Sequence, residues 1–195
     1  MYYSKYKDIR NSAWHCLIDF EIDSLPVDIM KIAKHANVRV VKDSDVSILK
    51  ENENGRAFFD NDSWIIVYDD SQSIPYARMT VAHELGHIFL GHDVEYAEYF
   101  GVREFKKMPA NEKQANDFAV RLLCPACVIW SLGLDSAEAI AEYCKVSIDV
   151  AKKRYKRMCI LNERNKFLSS EIEKTLYANF RNYIKSENNS KDVKT

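Results

Sequence analysis

Apolar residues spaced three or four apart mark out several helices along this chain. Ile9, Ala13, Cys16, Leu17 and Phe20 fall on one side of a helix predicted from about residue 4 to residue 20. Leu25-Pro26-Val27-Asp28 opens a second, carrying Ile29, Ile32, Ala33 and Ala36. The period then changes. Val38 to Val41 reads as a short strand, and Ala57-Phe58-Phe59 and Trp64 to Tyr68 read as two more around the polar turn Asp60-Asn61-Asp62-Ser63. Pro75 suits a first helical position, and Met79, Ala82, Leu85, Ile88 and Phe89 restore helical spacing behind it. Gly91 to Met108 mixes Tyr96, Tyr99, Phe100 and Phe105 with charges, and is expected to be a loop with a helical turn over a cleft. Asn111 is a good N-cap for a helix through Ala115, Phe118, Ala119 and Leu122, with Gln114 at the capping-box position and Pro125 beyond its end. Helices at 136 to 144 and 148 to 161 follow, then an amphipathic helix from Ser169 to Ile184 bearing Ile172, Leu176, Phe180 and Tyr183. The polar residues 186 to 195 are expected to be disordered.

This pattern predicts an α+β fold: a small mixed or antiparallel sheet packed on a mainly helical domain. Residues 1–165 would form that domain, with 135–161 packed as part of it, and residues 166–195 would be a C-terminal helix and tail. At 195 residues and 47% apolar, the chain can bury a core. Its formal net charge of -1 gives no global field for polyanions. The first residues lack the apolar centre of a signal peptide and no run is long enough to span a bilayer, so a cytoplasmic protein without membrane contact is expected. Five cysteines at irregular spacing fit reduced thiols in that compartment.

Candidate chemistry centres on His83-Glu84-Leu85-Gly86-His87 within the helix predicted after Pro75. Residues four apart on a helix lie almost above one another, so both imidazoles aim at one point that can hold a metal. Zinc suits imidazole ligands, and a catalytic zinc takes three protein ligands and leaves a position for water. Glu84 is rotated about 100° from His83 and borders the point, which suits a general base acting on that water. Chance histidines four apart are the bland alternative, so a third ligand decides.

Asn111-Glu112-Lys113-Gln114-Ala115-Asn116 begins 24 residues after His87. Here the chain resembles the gluzincin arrangement, in which a glutamate on a following helix completes a two-His, one-Glu site. Glu112 matches that ligand, and Asn116 matches the neighbouring position, where its carbonyl oxygen can accept an imidazole N–H. A metzincin would need Gly at position 90 and His at 93; the chain has Leu90 and Asp93, so His92 reads as a basic residue at a helix C-terminus. Arg78-Met79-Thr80-Val81-Ala82-His83-Glu84-Leu85-Gly86-His87, followed by Glu112 to Ala119 and Leu122-Leu123-Cys124-Pro125, resembles the ImmA/IrrE-type metallopeptidases from about residue 25 to residue 160. Cys124 stands where that pattern has Met. The resemblance implies one zinc per chain, endopeptidase activity, and a helix-turn-helix transcriptional repressor of a phage or mobile element as protein substrate.

Zinc peptidases commonly hold substrate as an added strand, and Ile65, Ile66 and Val67 are candidates for the strand it pairs with, although a core strand fits five apolar residues in a row better. Tyr76, Arg78, Tyr96 and Tyr99 are candidate oxyanion donors or substrate contacts. Cys124-Pro125-Ala126-Cys127 lacks the second pair a metal knuckle needs and reads as buried thiols. The helix at 148 to 161 bears Lys152, Lys153, Arg154, Lys156 and Arg157 and imitates a recognition helix, but its bases lie on several sides, so direct nucleic acid binding is not expected. The rival reading is a metal-binding regulator that acts by binding a repressor or DNA without cutting.

Overall fold

In the computed structural model, which describes residues 9–96, 103–106 and 108–192, the elements in chain order are α1 (Ile9–Asp19), α2 (Ile29–His35), β1 (Val38–Lys42), α3 (Asp43–Val46), β2 (Gly55–Asp60), β3 (Ser63–Tyr68), α4 (Ile74–Leu90), β4 (Val94–Tyr96), β5 (Arg103–Phe105), α5 (Pro109–Leu123), α6 (Ala126–Ser131), α7 (Ala137–Cys144), α8 (Ile148–Glu163) and α9 (Glu171–Asp192). Local chemistry sets many of these bounds. The Asp28 carboxylate accepts the Lys31 N–H at 2.9 Å and starts α2. Ser136 and Ser147 accept the N–H groups of Ala139 and Val150 and start α7 and α8. Asn61 and Asp62 both take positive φ, 44° and 67°, which matches the two-residue hairpin joining β2 to β3.

The strands form one mixed sheet in the order β1-β3-β2-β5-β4. β1 runs parallel to β3, pairing Val38 with Trp64 through Lys42 with Tyr68. β2 lies antiparallel on the other side of β3, Gly55 opposite Tyr68 and Asp60 opposite Ser63. The expectation that residues 64 to 68 offer an edge to substrate is therefore overturned. Both sides of β3 are occupied, and Ile65, Ile66 and Val67 are buried. A second correction concerns residues 91 to 108. Their described parts form the hairpin strands β4 and β5, and β5 pairs with β2 at Phe58 and Phe59. Tyr99 and Phe100 lie outside the described residues, as do residues 4 to 8 of the first predicted helix.

Against this sheet pack the helices. Leu85 and Phe89 of α4, Phe118 and Leu122 of α5, and Trp14 and Leu17 of α1 are at most 2% exposed and share one apolar cluster. Full burial of each such side chain contributes about 1.5–3 kcal/mol. Leu176, Phe180 and Ile184 of α9 join the same cluster. α9 runs on to Asp192, through most of the stretch expected to be disordered; residues 193 to 195 lie outside the described residues. The result is the expected α+β, zincin-like arrangement, with α4 lying at a cleft. No described helix is long and apolar enough to cross a membrane.

Candidate metal centre

Two helices build the site, and their distance is set by one missing side chain. Gly86 faces α5, where a methyl group in its place would lie 3.1 Å from the Ala115 carbonyl oxygen, 3.2 Å from its Cα and 3.3 Å from Phe118 Cδ1. Only hydrogen fits there without displacing α5. That close approach brings the Glu112 carboxylate to the two histidines that α4 stacks one turn apart.

The ligand atoms of the three residues cluster tightly, each imidazole facing a different oxygen of the carboxylate. His83 Nε2 is 3.1 Å from His87 Nε2 and 3.2 Å from Glu112 Oε2, and His87 Nε2 is 3.4 Å from Glu112 Oε1. Ligands on a tetrahedral ion with bonds of 2.0–2.1 Å stand about 3.3 Å apart, and the separations between the rings and from each ring to its nearer Glu112 oxygen are of that size. The contacts are not ion pairs. Burial lowers the His83 pKa against the opposing pull of Glu112, and His87 is pushed down to about 3 by burial and then by neighbouring His83 and His92. Both rings are therefore neutral near pH 7, with lone pairs directed at a common point, as metal ligation requires.

Outer partners fix which nitrogen carries the proton. His83 Nδ1 lies 3.2 Å from Asn116 Oδ1, an acceptor, so Nδ1–H donates and Nε2 is left bare. Asn116 thus stands where the sequence placed it. His87 Nδ1 lies 2.9 Å from His92 Nδ1, and His92 Nε2 lies 3.3 Å from Gln114 Oε1. With His87 Nε2 bare, one proton assignment satisfies the chain: His87 Nδ1–H donates to His92, and His92 Nε2–H donates to the amide oxygen. Sequence reasoning missed this relay. Gly91, at φ 67°, turns the chain back so that His92 lies over the end of α4 rather than continuing it. Gln114 was assigned to a cap because Asn111 was expected at the helix start. Pro109 instead begins α5 earlier, with Met108 at the cap position, which leaves Asn111 inside the first turn and Gln114 available to His92.

A cleft of about 480 Å³ opens over the triangle, lined by Glu84, Tyr76, Met79 and Thr80 of α4 and by Asn52 to Ala57 at the start of β2, where Gly55 packs against Thr80. Glu84 and Tyr76 are thus placed at the site. Arg78 is not. Its Nη2–H donates to the Val27 carbonyl at 2.8 Å, and burial lowers its pKa; it anchors α4 to the segment before α2. Ile65, Ile66 and Val67 are absent from the lining. The wall is braced by a residue no motif signalled: buried Arg56 donates to both carboxylate oxygens of Glu53, at 3.1 and 2.6 Å, and to Glu104 on β5 at 3.1 Å. Residues Gly55 to Ala57 pair with β3 and precede the β5 pairing at Phe58 and Phe59. The side chain of Tyr96 and all of Tyr99 lie outside the described residues. Cys124 and Cys127 are buried far from ligand geometry, Cys124 sharing a hydrogen bond with Cys144.

Compared with known proteins, the model of peptidase family M78, the IrrE N-terminal-like domain, matches residues 33–156. No curated relative matches the chain.

Proposed function

The chain belongs to peptidase family M78, the IrrE N-terminal-like domains, and from that premise we propose that it is a zinc-dependent endopeptidase acting on a helix-turn-helix transcriptional repressor. The observation that carries the reading is the triangle of His83, His87 and Glu112, with spacing that fits a tetrahedral ion and Glu84 on the same cleft. A zinc ion held there would supply Lewis-acid polarisation of a carbonyl and of a water molecule. The remaining work falls to side chains. Glu84 takes the proton from attacking water and returns it to the departing amine. Asn116 and the His92–Gln114 relay hold the two imidazoles in the ligating tautomer. Tyr76, half exposed at the rim, is the described candidate for a hydroxyl donor to the developing oxyanion. Substrate lies along the cleft lining formed by Asn52 to Ala57, in place of the strand role expected at Ile65 to Val67. The repressor as substrate rests on the resemblance of the His83 and Glu112 motifs to ImmA/IrrE-type peptidases.

The deciding experiment incubates the zinc-loaded protein with a repressor encoded beside it and compares wild type with Glu84→Gln. Wild type should yield two peptide products, and Glu84→Gln should bind zinc equally and yield none. Relief of repression to the same extent by both proteins, with the repressor intact, would replace the enzyme by the non-cutting regulator.

A further inference from the structure

Away from the metal centre, a second cavity of about 320 Å³ lies among α1, α5, α8 and α9. Its lining carries six cations, Arg10, Arg121, Lys153, Arg154, Arg157 and Lys166, against two acids, Asp117 and Glu173. Both acids already have partners. Asp117 lies 3.2 Å from Arg121 on the same helix, and Glu173 accepts the Ser169 N–H at 3.1 Å.

Arg154 is the residue that makes the cavity unusual. α8 buries Ala151, Arg154 and Met158 on one face, so a guanidinium occupies the middle of an apolar stripe. It is only 7% exposed and its Nε has no hydrogen-bond partner. Burial lowers its pKa, and the facing cation Arg121 lowers it further. Trp14, 2% exposed, also lines the cavity, and the Arg10 guanidinium lies over its ring at 5.0 Å. Buried donors in native proteins are almost always satisfied, and an unpaired buried charge is strongly unfavourable. A buried guanidinium on a cavity with an excess of cations calls for an acceptor that carries negative charge.

We propose that this cavity is an anion site for a small phosphorylated molecule. Guanidinium forks match phosphate oxygens in bidentate geometry, and Arg154 supplies a fixed guanidinium at the base while Lys153 and Arg157 close the mouth. The cavity falls in the size range of small-molecule sites and exceeds what a bare phosphate fills, so an organic body is accommodated beside the anion. Nucleic acid is the less suitable occupant. A duplex phosphate cannot reach a guanidinium this deeply buried, and exposed Lys152 and Lys156, which a duplex would meet on α8, lie outside the cavity lining.

The test uses the full zinc-loaded chain, with inorganic phosphate and ribose 5-phosphate titrated by calorimetry and thermal denaturation against chloride at matched ionic strength. Both probes should bind and raise the melting temperature, ribose 5-phosphate more tightly than phosphate. Arg157→Ala, at an exposed position, should weaken binding by about tenfold, as loss of one charge-assisted hydrogen bond does. Arg154→Met should respond to neither probe while remaining at least as stable as wild type without anion, since it removes an uncompensated buried charge. His83→Ala should bind both probes as wild type does. Should Arg154→Met fail to fold, the double variant Lys153→Ala, Arg157→Ala decides in its place. The proposal is overturned by equal responses in wild type and the cavity variants, or by a response lost only in His83→Ala, which would place the anion at the metal. Duplex DNA binding that depends on Lys152 and Lys156, with no response to either small phosphate, would overturn it in favour of a nucleic acid face.

Discussion

Replacing Gly86 by alanine tests the claim that the spacing of α4 and α5 sets the metal centre. Two effects oppose each other. Glycine inside a helix is about 1 kcal/mol less favourable than alanine, so propensity alone favours the substitution. The new methyl, however, would lie 3.1 and 3.2 Å from backbone atoms of Ala115 and 3.3 Å from the Phe118 ring, both fully buried, and none of these is the end of a flexible side chain. Overpacking of this kind typically costs about 1–3 kcal/mol. The metal-free protein is therefore expected to lose between nothing and about 2 kcal/mol in urea denaturation. Zinc affinity should respond more. Relief of the contact moves α5 by a few tenths of an ångström, and Glu112 sits one turn before Ala115, whereas ligand distances tolerate only about 0.2 Å. A competition titration with a chromophoric chelator should show roughly tenfold or greater weakening, equivalent to about 1.4 kcal/mol. If Gly86→Ala is stabilised by about 1 kcal/mol and binds zinc as wild type does, the close approach is not what positions Glu112.

Further outcomes follow from other contacts. Glu84→Gln should keep stoichiometric zinc by elemental analysis while hydrolysis of the repressor falls by at least about 10²-fold, as loss of a general base implies; a smaller fall would remove Glu84 from proton transfer. His92→Ala should leave the fold intact by circular dichroism but weaken zinc by about 10–100-fold, the usual effect of an outer partner, with Gln114→Ala weaker in the same direction; unchanged affinity would show the relay to be incidental. Arg78→Met should alter stability without changing the ratio of cleavage rate to bound zinc, because Arg78 holds Val27 rather than substrate. Burial raises the Glu173 pKa above its ordinary 4.5. The folded state therefore favours the protonated acid, and its contribution is present below that range and lost as pH rises through the raised pKa. Glu173→Gln should accordingly be more stable than wild type at pH 7, with the difference vanishing in denaturation below the ordinary carboxylate range; a constant difference at all pH values would assign the effect to packing.

The candidate ligand set was legible in the sequence by two routes. His83 and His87 need only a helix to converge, whereas Glu112 and Asn116 were matched by resemblance to the gluzincin arrangement, because local periodicity does not say which helix packs against the histidines. The rank of β3 within the sheet was not legible, since it depends on β1 entering parallel beside Trp64 to Tyr68. Hydrophobic pattern reports burial of a strand but does not name its neighbours. The strands β4 and β5 carry polar and charged residues, and pairing with β2 overrides their weak intrinsic preference. His92 and Arg56 escaped notice for a related reason: their partners, Gln114 and Glu104, lie 22 and 48 residues away.

The cleft lining from Asn52 to Ala57 is short, and Arg56 braces it between Glu53 and Glu104. On the proposed peptidase reading, a berth that short and stiff would grip a polypeptide only where it is already extended and unencumbered by its own helix or sheet. Selectivity would then arise from which proteins leave such a stretch open to approach.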